Sequence, residues 1–249
     1  MDASPGRLQT VTMRALGPVC RTFWNVEVSG LDHVPVDGPA IIAPNHVSFC
    51  DSVFVPAVLP RRISYVGKAE YMDDWKTKYL FPAMGMIPID RGGGDKSAAA
   101  LDTAARLLAD GELFGIYPEG TRSRSGKLHK GRTGVARLSM RTGAPIIPVG
   151  LRGTREVQPP DQPCPKPFMT VQVLFGRPID PARFRSRDGD PLLFREITDE
   201  LMYEISQLSG QTYVHEYASK PTETPSGGPG LEPVMTERSS ADLLATRTG

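Results

Sequence analysis

Ala40-Ile41-Ile42-Ala43-Pro44-Asn45-His46-Val47-Ser48-Phe49-Cys50-Asp51 is the stretch on which the reading of the chain turns. Its first four residues form a short apolar run stopped by proline. That is the pattern of a strand buried on both faces, and such strands belong to parallel sheets covered by helices. The run delivers His46 to a loop, and five residues later Asp51 stands where a helix begins. Histidine titrates nearest neutrality, so a carboxylate at its other ring nitrogen makes it a usable general base. The spacing alone is a weak signal. A strand-end histidine bonded locally, beside an aspartate that caps the next helix, has the same spacing.

The flanking sequence repeats the strand-then-helix rhythm. Strands are predicted at Val26 to Val28, Ile63 to Val66, Met86 to Ile89, Leu113 to Tyr117 and Pro145 to Leu151. Helices are predicted at Ser52 to Leu59, Glu70 to Phe81, from the cap Asp95 to about Ala109, and at Gly131 to Thr142. Thr170 to Phe175 alternates as an antiparallel or edge strand does, and Pro191 to Leu208 is a last amphipathic helix. The fold class expected is therefore α/β: a largely parallel, twisted sheet flanked by helices.

The two ends read differently. Over residues 7 to 24, Arg7, Arg14 and Arg21 fall in one helical sector, opposite a broad face with Leu8, Val11, Leu16, Val19, Phe23 and Trp24. This describes a helix lying on an anionic bilayer or one packed on the protein's own core, and both readings stay open. From Ser219 onward Pro, Gly, Ser and Thr dominate without periodicity, which predicts a disordered tail. The expected division is an N-terminal membrane-contacting segment over 1–25, a catalytic domain over 26–218 and the tail over 219–249.

Composition narrows the class. The 249 residues carry a formal net charge of +1, yet the nine Lys and Arg between Thr121 and Arg155 are interrupted by no acid. Such a block predicts an anionic partner. It lacks the interleaved aromatics of a single-strand nucleic-acid surface, so no nucleic acid is expected. The three cysteines are far apart and fit a reducing compartment, and no cluster has metal-ligand spacing. No run reaches the length of a membrane span, and no apolar leader core precedes a cleavage site, so export is not expected.

In α/β sheets ligands sit at the carboxyl ends of strands. Four predicted strand ends carry suitable residues: His46 with Asp51, Asp90-Arg91, Glu119 to Arg122, and Gly150 to Thr154. Arginine meets phosphate through two parallel charge-assisted hydrogen bonds, which makes Arg91 and Arg122 natural clamps. Glu119 does not bind a phosphate directly; its carboxylate is expected to orient an arginine or a loop amide, with Gly120 allowing close backbone approach. Cys50 or Ser48 served by His46 is an alternative, covalent mechanism, but no nucleophile elbow surrounds them. His33 and His215 are expected at the surface, and His129, within the basic block, is expected in a solvated loop, with contact to a phosphate as the alternative.

Asn45-His46-x4-Asp51, Ile87-Pro88-Ile89-Asp90-Arg91, Tyr117-Pro118-Glu119-Gly120-Thr121-Arg122 and Ile146-Ile147-Pro148-Val149-Gly150 together resemble the four ordered blocks of the glycerolipid acyltransferase family. The likeness runs over about residues 25 to 210. It implies that His46 is a general base oriented by Asp51, and that Arg91, Glu119, Gly120, Thr121, Arg122, Lys68 and Lys130 belong to the substrate-binding set. The implied reaction moves an acyl group from acyl-CoA or acyl-carrier protein to the sn-2 hydroxyl of lysophosphatidic acid. It implies no metal or cofactor, and work at the cytoplasmic face of an anionic membrane surface. Other lysolipids and glycerol 3-phosphate are alternative acceptors. A non-catalytic lipid-binding module is the alternative of another class.

Overall fold

A run such as Ala40–Ala43 is stable only where both its faces are covered, and the sheet supplies that cover. The protein is described by a computed structural model over residues 12, 16–68, 85–89, 96–160, 162–187 and 190–218. All of these lie in one compact unit, Met1–Ser219. The expected helix over Glu70 to Phe81, the clamp Arg91, the cap Asp95 and the tail lie outside the described residues, as do Arg7 and Arg14.

Residues 16–23 form α1. In order follow β1 (Asn25–Ser29), β2 (Ala40–Pro44), α2 (Asp51–Val58), β3 (Ile63–Lys68), β4 (Met86–Ile89), α3 (Lys96–Ala109) and β5 (Leu113–Gly115). Then come β6 (Leu128–His129), α4 (Gly134–Thr142), β7 (Ile146–Arg152), α5 (Thr154–Val157), β8 (Thr170–Phe175), α6 (Leu193–Ser209) and β9 (Tyr213–Val214). The main sheet runs β1-β8-β7-β2-β5-β3-β4, and β6 pairs with β9 in a small second sheet.

Five neighbours, β7, β2, β5, β3 and β4, are mutually parallel, so their carboxyl ends line one edge. β8 runs antiparallel to β7 and carries β1 parallel on its far side. The alternation in Thr170 to Phe175 thus marks the reversal of direction, while β1 takes the outer place.

Successive strand side chains point to opposite faces. Ala40 and Ile42 of β2 join a core with Cys20, Phe54, Val55, Val149 and Val173 on the side of α1 and α2. Ile41 and Ala43 join a second core with Ala104, Leu108, Leu138 and Leu201 from α3, α4 and α6. Each fully buried Ile contributes about 1.5–3 kcal/mol relative to exposure, so the central strand is fixed from both sides. In the described part of α1, Cys20 is buried and Leu16 and Trp24 pack beside it. For these residues the core-packed reading holds, while Val19 and Phe23 on the flank remain exposed.

Candidate active site

The site grows from the end of β2. Pro44 has no N–H; the Asn45 N–H donates to the Val149 carbonyl at 3.3 Å, and the Asn45 side chain extends the pairing further along β7. Asn45 Oδ1 accepts from the Leu151 amide (2.7 Å) and its Nδ2 donates to the Leu151 carbonyl (3.1 Å), as a peptide group in the ladder does. The same Nδ2 also donates to Gln211 Oε1 at 2.7 Å. Asn45 is completely buried, and only an amide side chain both donates and accepts in this way.

The chain then turns so that its amides face Asp51. The backbone N–H groups of Val47 and Ser48 donate to Asp51 Oδ2 at 2.7 and 2.8 Å. His46 Nδ1 lies 2.9 Å from the same oxygen. An oxygen already accepting two amides is an acceptor, so Nδ1 carries the hydrogen and the Nε2 lone pair is left available. No described residue bonds Nε2. Asp51 is wholly buried at the first residue of α2, where the helix dipole favours its charge.

The imidazole is also held by its face. Its ring stacks on Tyr117, with centroids 3.7 Å apart and planes 14° from parallel. Tyr117 hydroxyl and Ser52 Oγ are 2.7 Å apart, which ties the ring to α2. Behind it Tyr65 lies nearly parallel at 6.0 Å. Tyr65 has room because residue 115 is glycine; a Cβ there would fall on the Tyr65 ring.

β5 is the sheet neighbour of β2, and this brings the Glu119 loop to the His46 loop. Glu119 Oε1 accepts from the His46 N–H at 3.1 Å and Oε2 from the His129 N–H at 2.9 Å. It is completely buried. Burial pushes its carboxyl up to about 7, against the two backbone N–H groups that favour the charged form. Both oxygens accept from backbone amides, so Glu119 joins the His46 loop to β6. Gly120 has φ 77°, and the space a Cβ would take is occupied by the Arg132 side chain.

Arg122 is exposed, and its neighbour Ser123 donates its N–H to the His46 carbonyl at 2.7 Å. The backbone thus sets Arg122 beside the imidazole loop. Thr121 is partly exposed. Lys130 Nζ lies 3.1 Å from His215 Nε2 and 5.5 Å from the Tyr217 ring centroid. Lys68 ends β3, paired with Ile89 of β4, and its side chain lies outside the description. Within Gly150 to Thr154, Arg152 donates to the Leu208 carbonyl at 2.7 Å and serves the end of α6.

The alternative nucleophiles are engaged elsewhere. Ser48 Oγ donates to the Gln158 carbonyl at 3.0 Å and Cys50 Sγ to Gln158 Oε1 at 3.1 Å. Burial pushes the Cys50 thiol up to about 11, far from the thiolate that a nucleophile needs. His129 is not the solvated loop residue expected: its amide is held by Glu119, and its Nδ1 is buried. Sequence reasoning gave no role to Tyr117, Tyr65, Ser52 or Gln211. The position of Tyr117 two residues before Glu119 at a strand end was the available signal. Gln211, 166 residues from Asn45, had none.

A family model described as Acyltransferase matches residues 25–152. The chain is 27% identical over 158 residues to 1-acyl-sn-glycerol-3-phosphate acyltransferase LPAT1, chloroplastic, of Arabidopsis thaliana, covering 63% of this chain and 44% of that one. It is 27% identical over 152 residues to the 1-acyl-sn-glycerol-3-phosphate acyltransferase of Borreliella burgdorferi, covering 59% and 60%. It therefore spans about half the length of the curated relatives it matches. The fold resembles the crystal structure of the 1-acyl-sn-glycerophosphate (LPA) acyltransferase, PlsC, from Thermotoga maritima, with TM-score 0.64, 20% identity and 84% of each chain covered.

Proposed function

The chain belongs to the acyltransferase family, and on that premise we propose that it acylates the sn-2 hydroxyl of lysophosphatidic acid, giving phosphatidic acid. The relatives named for action on 1-acyl-sn-glycerol 3-phosphate support this acceptor. The observation that carries the chemistry is the His46–Asp51 pair, bonded through Nδ1 with Nε2 left open.

His46 Nε2 takes the hydroxyl proton as that oxygen attacks the carbonyl carbon of an acyl thioester. The tetrahedral adduct collapses, the C–S bond breaks, and the imidazolium returns its proton to the leaving thiolate. Asp51 stabilises the imidazolium, as a carboxylate does in a serine-protease triad, here with the substrate alcohol in place of the serine. A positioned base supplies roughly 10²–10⁴ in rate. Holding alcohol and thioester in contact supplies up to about 7–11 kcal/mol more. That second contribution is assigned to Arg122, with Arg91, Lys68 and Lys130 completing the phosphate-binding set and Gly120 and Thr121 shaping the loop. The donor is acyl-CoA or acyl-carrier protein, with no further cofactor or metal. Transfer is direct, since Cys50 and Ser48 bond Gln158.

We assign the reaction to the cytoplasmic face of an anionic membrane, with peripheral attachment. Among the described residues no helix is long and apolar enough to cross a membrane. Phe23 and Phe168 are exposed and joined through their backbones, the Phe168 N–H donating to the Phe23 carbonyl at 2.6 Å, and Val19, one turn earlier, is exposed as well. These side chains suit contact with lipid.

The test is release of free thiol from the donor that depends on lysophosphatidic acid, measured with acyl-CoA and with acyl-carrier protein. His46→Ala is expected to lose about 10²–10⁴ of the rate, and Cys50→Ala to keep it. Arg122→Ala is expected to raise the acceptor KM and lower kcat together, because a badly held phosphate misplaces the hydroxyl. Equal turnover by wild type and His46→Ala would overturn the reading.

A further inference from the structure

We infer that Tyr117 is a positioning residue that favours the protonated imidazole through its ring face, and so lowers the barrier to proton removal by His46. The inference rests on His46 being the base. The contact is nearly a face-to-face sandwich, at 3.7 Å and 14°. Two neutral rings prefer offset or edge-on arrangements with centroids 4.5–7 Å apart, because their quadrupoles repel when stacked squarely. An imidazolium has the opposite preference. A cation over the negative face of a phenol is attracted to it, most strongly away from water. The observed geometry therefore suits neutral His46 least and charged His46 best, and the charged form is the one that develops as the acceptor hydroxyl loses its proton.

Three features hold the geometry. The Tyr117 hydroxyl is tied to Ser52, the residue after Asp51 on α2. Tyr65 backs the ring at 6.0 Å and 17°. Gly115 leaves the space that Tyr65 fills. Among the described ionisable groups, Asp51 meets the imidazole edge at Nδ1, Glu119 accepts from its backbone N–H and does not touch the ring, and Arg122 stands on the loop whose Ser123 N–H donates to the His46 carbonyl. Burial raises both phenols above their ordinary range, so Tyr117 and Tyr65 stay neutral through the working pH. Asp51 and Tyr117 thus act on the same positive charge from two directions, edge and face.

The test varies the electron density of the ring at 117 while keeping its shape. Tyr117→Phe, followed by phenylalanines carrying increasing numbers of fluorine atoms introduced at 117, is assayed with lysophosphatidic acid and acyl-CoA. Successive fluorination drains the ring face, so kcat is expected to fall stepwise, with both KM values within about twofold. The whole series spans about 2- to 30-fold, the range of an exposed to a desolvated cation–π contact. Tyr117→Leu, which removes the face, is expected to reach the bottom of that range and to move the acid limb of the kcat/KM profile to lower pH. A kcat independent of fluorine count, or a change in KM alone, overturns the inference. An active His46→Ala control instead overturns the reading on which it rests, so the two failures are distinguishable.

Discussion

At the scale of single residues, one buried carboxylate holds two loops together. Glu119 satisfies the amides of His46 and His129 at once. Glutamine has one oxygen and one NH₂ at the same place, so Glu119→Gln leaves an amide facing a donor. An unpaired buried group costs about 1–3 kcal/mol, and this variant is expected to lose that much in chemical denaturation. The pH dependence follows from the raised carboxyl. Glu119 holds its proton up to about 7 when folded but only to about 4.5 when unfolded. Its contribution to stability is therefore fully present below about 4.5 and is lost as pH rises through about 7. The advantage of wild type over Glu119→Gln is expected to shrink from about pH 5 to about pH 8, read from paired denaturation curves. An advantage that grew over that range would mean that the two amides outweigh burial. Residue types were the most legible part of the sequence, since His46, Asp51 and Glu119 announce chemistry by their kind. The partners of Glu119 were not legible, because backbone amides carry no residue identity.

Among elements, the short strand β5 carries more than its length indicates. A strand to Tyr117 is expected from the apolar run, yet the strand ends at Gly115 and its last bond to β2 is from the Ile116 N–H to the Ile42 carbonyl at 3.0 Å. From there the chain leaves the sheet and lays Tyr117 against His46. Gly115→Ala places a methyl on the Tyr65 ring. Overpacking of this kind costs about 1–3 kcal/mol, so the variant is expected to melt several degrees lower. Its turnover is expected to fall further than the stability loss explains, because displaced Tyr65 unseats Tyr117. Wild-type turnover in a folded Gly115→Ala protein would separate the two rings from the chemistry. The long elements were readable from periodicity: α3, α4, α6 and β7 fall within a few residues of expectation. The two-residue strands β6 and β9, the four-residue α5 and the 3₁₀ turn Pro181–Arg187 were not. Such pieces are too short to show a period and are fixed by what they pack against.

The whole molecule is closed by contacts between distant parts of the chain. Asn45 and Gln211 join the start of the His46 loop to the segment after α6, and Gln211 Nε2 continues to the Gly126 carbonyl at 2.7 Å. Asn45→Ala strands the Leu151 N–H and the Gln211 side chain, at about 1–3 kcal/mol for each buried group left unpaired. Global unfolding is expected to move to lower denaturant with an unchanged slope. A changed slope would mean that the segment after α6 unfolds separately. The parallel sheet was legible from alternating strand and helix signals, and the strand order was not. That order is what sets β2 between β5 and β7 and brings His46 to Glu119 and Asn45 to Leu151. Nothing local in the sequence encodes it.

The Glu119 carboxylate grips peptide groups, which every residue but proline presents alike. An inert replacement at position 46 consequently keeps the rivet between the loops and the architecture of its surroundings. Such a protein is expected to act as a decoy that holds the two reactants of the proposed transfer without consuming them, and it is the natural form in which to seek them by crystallography.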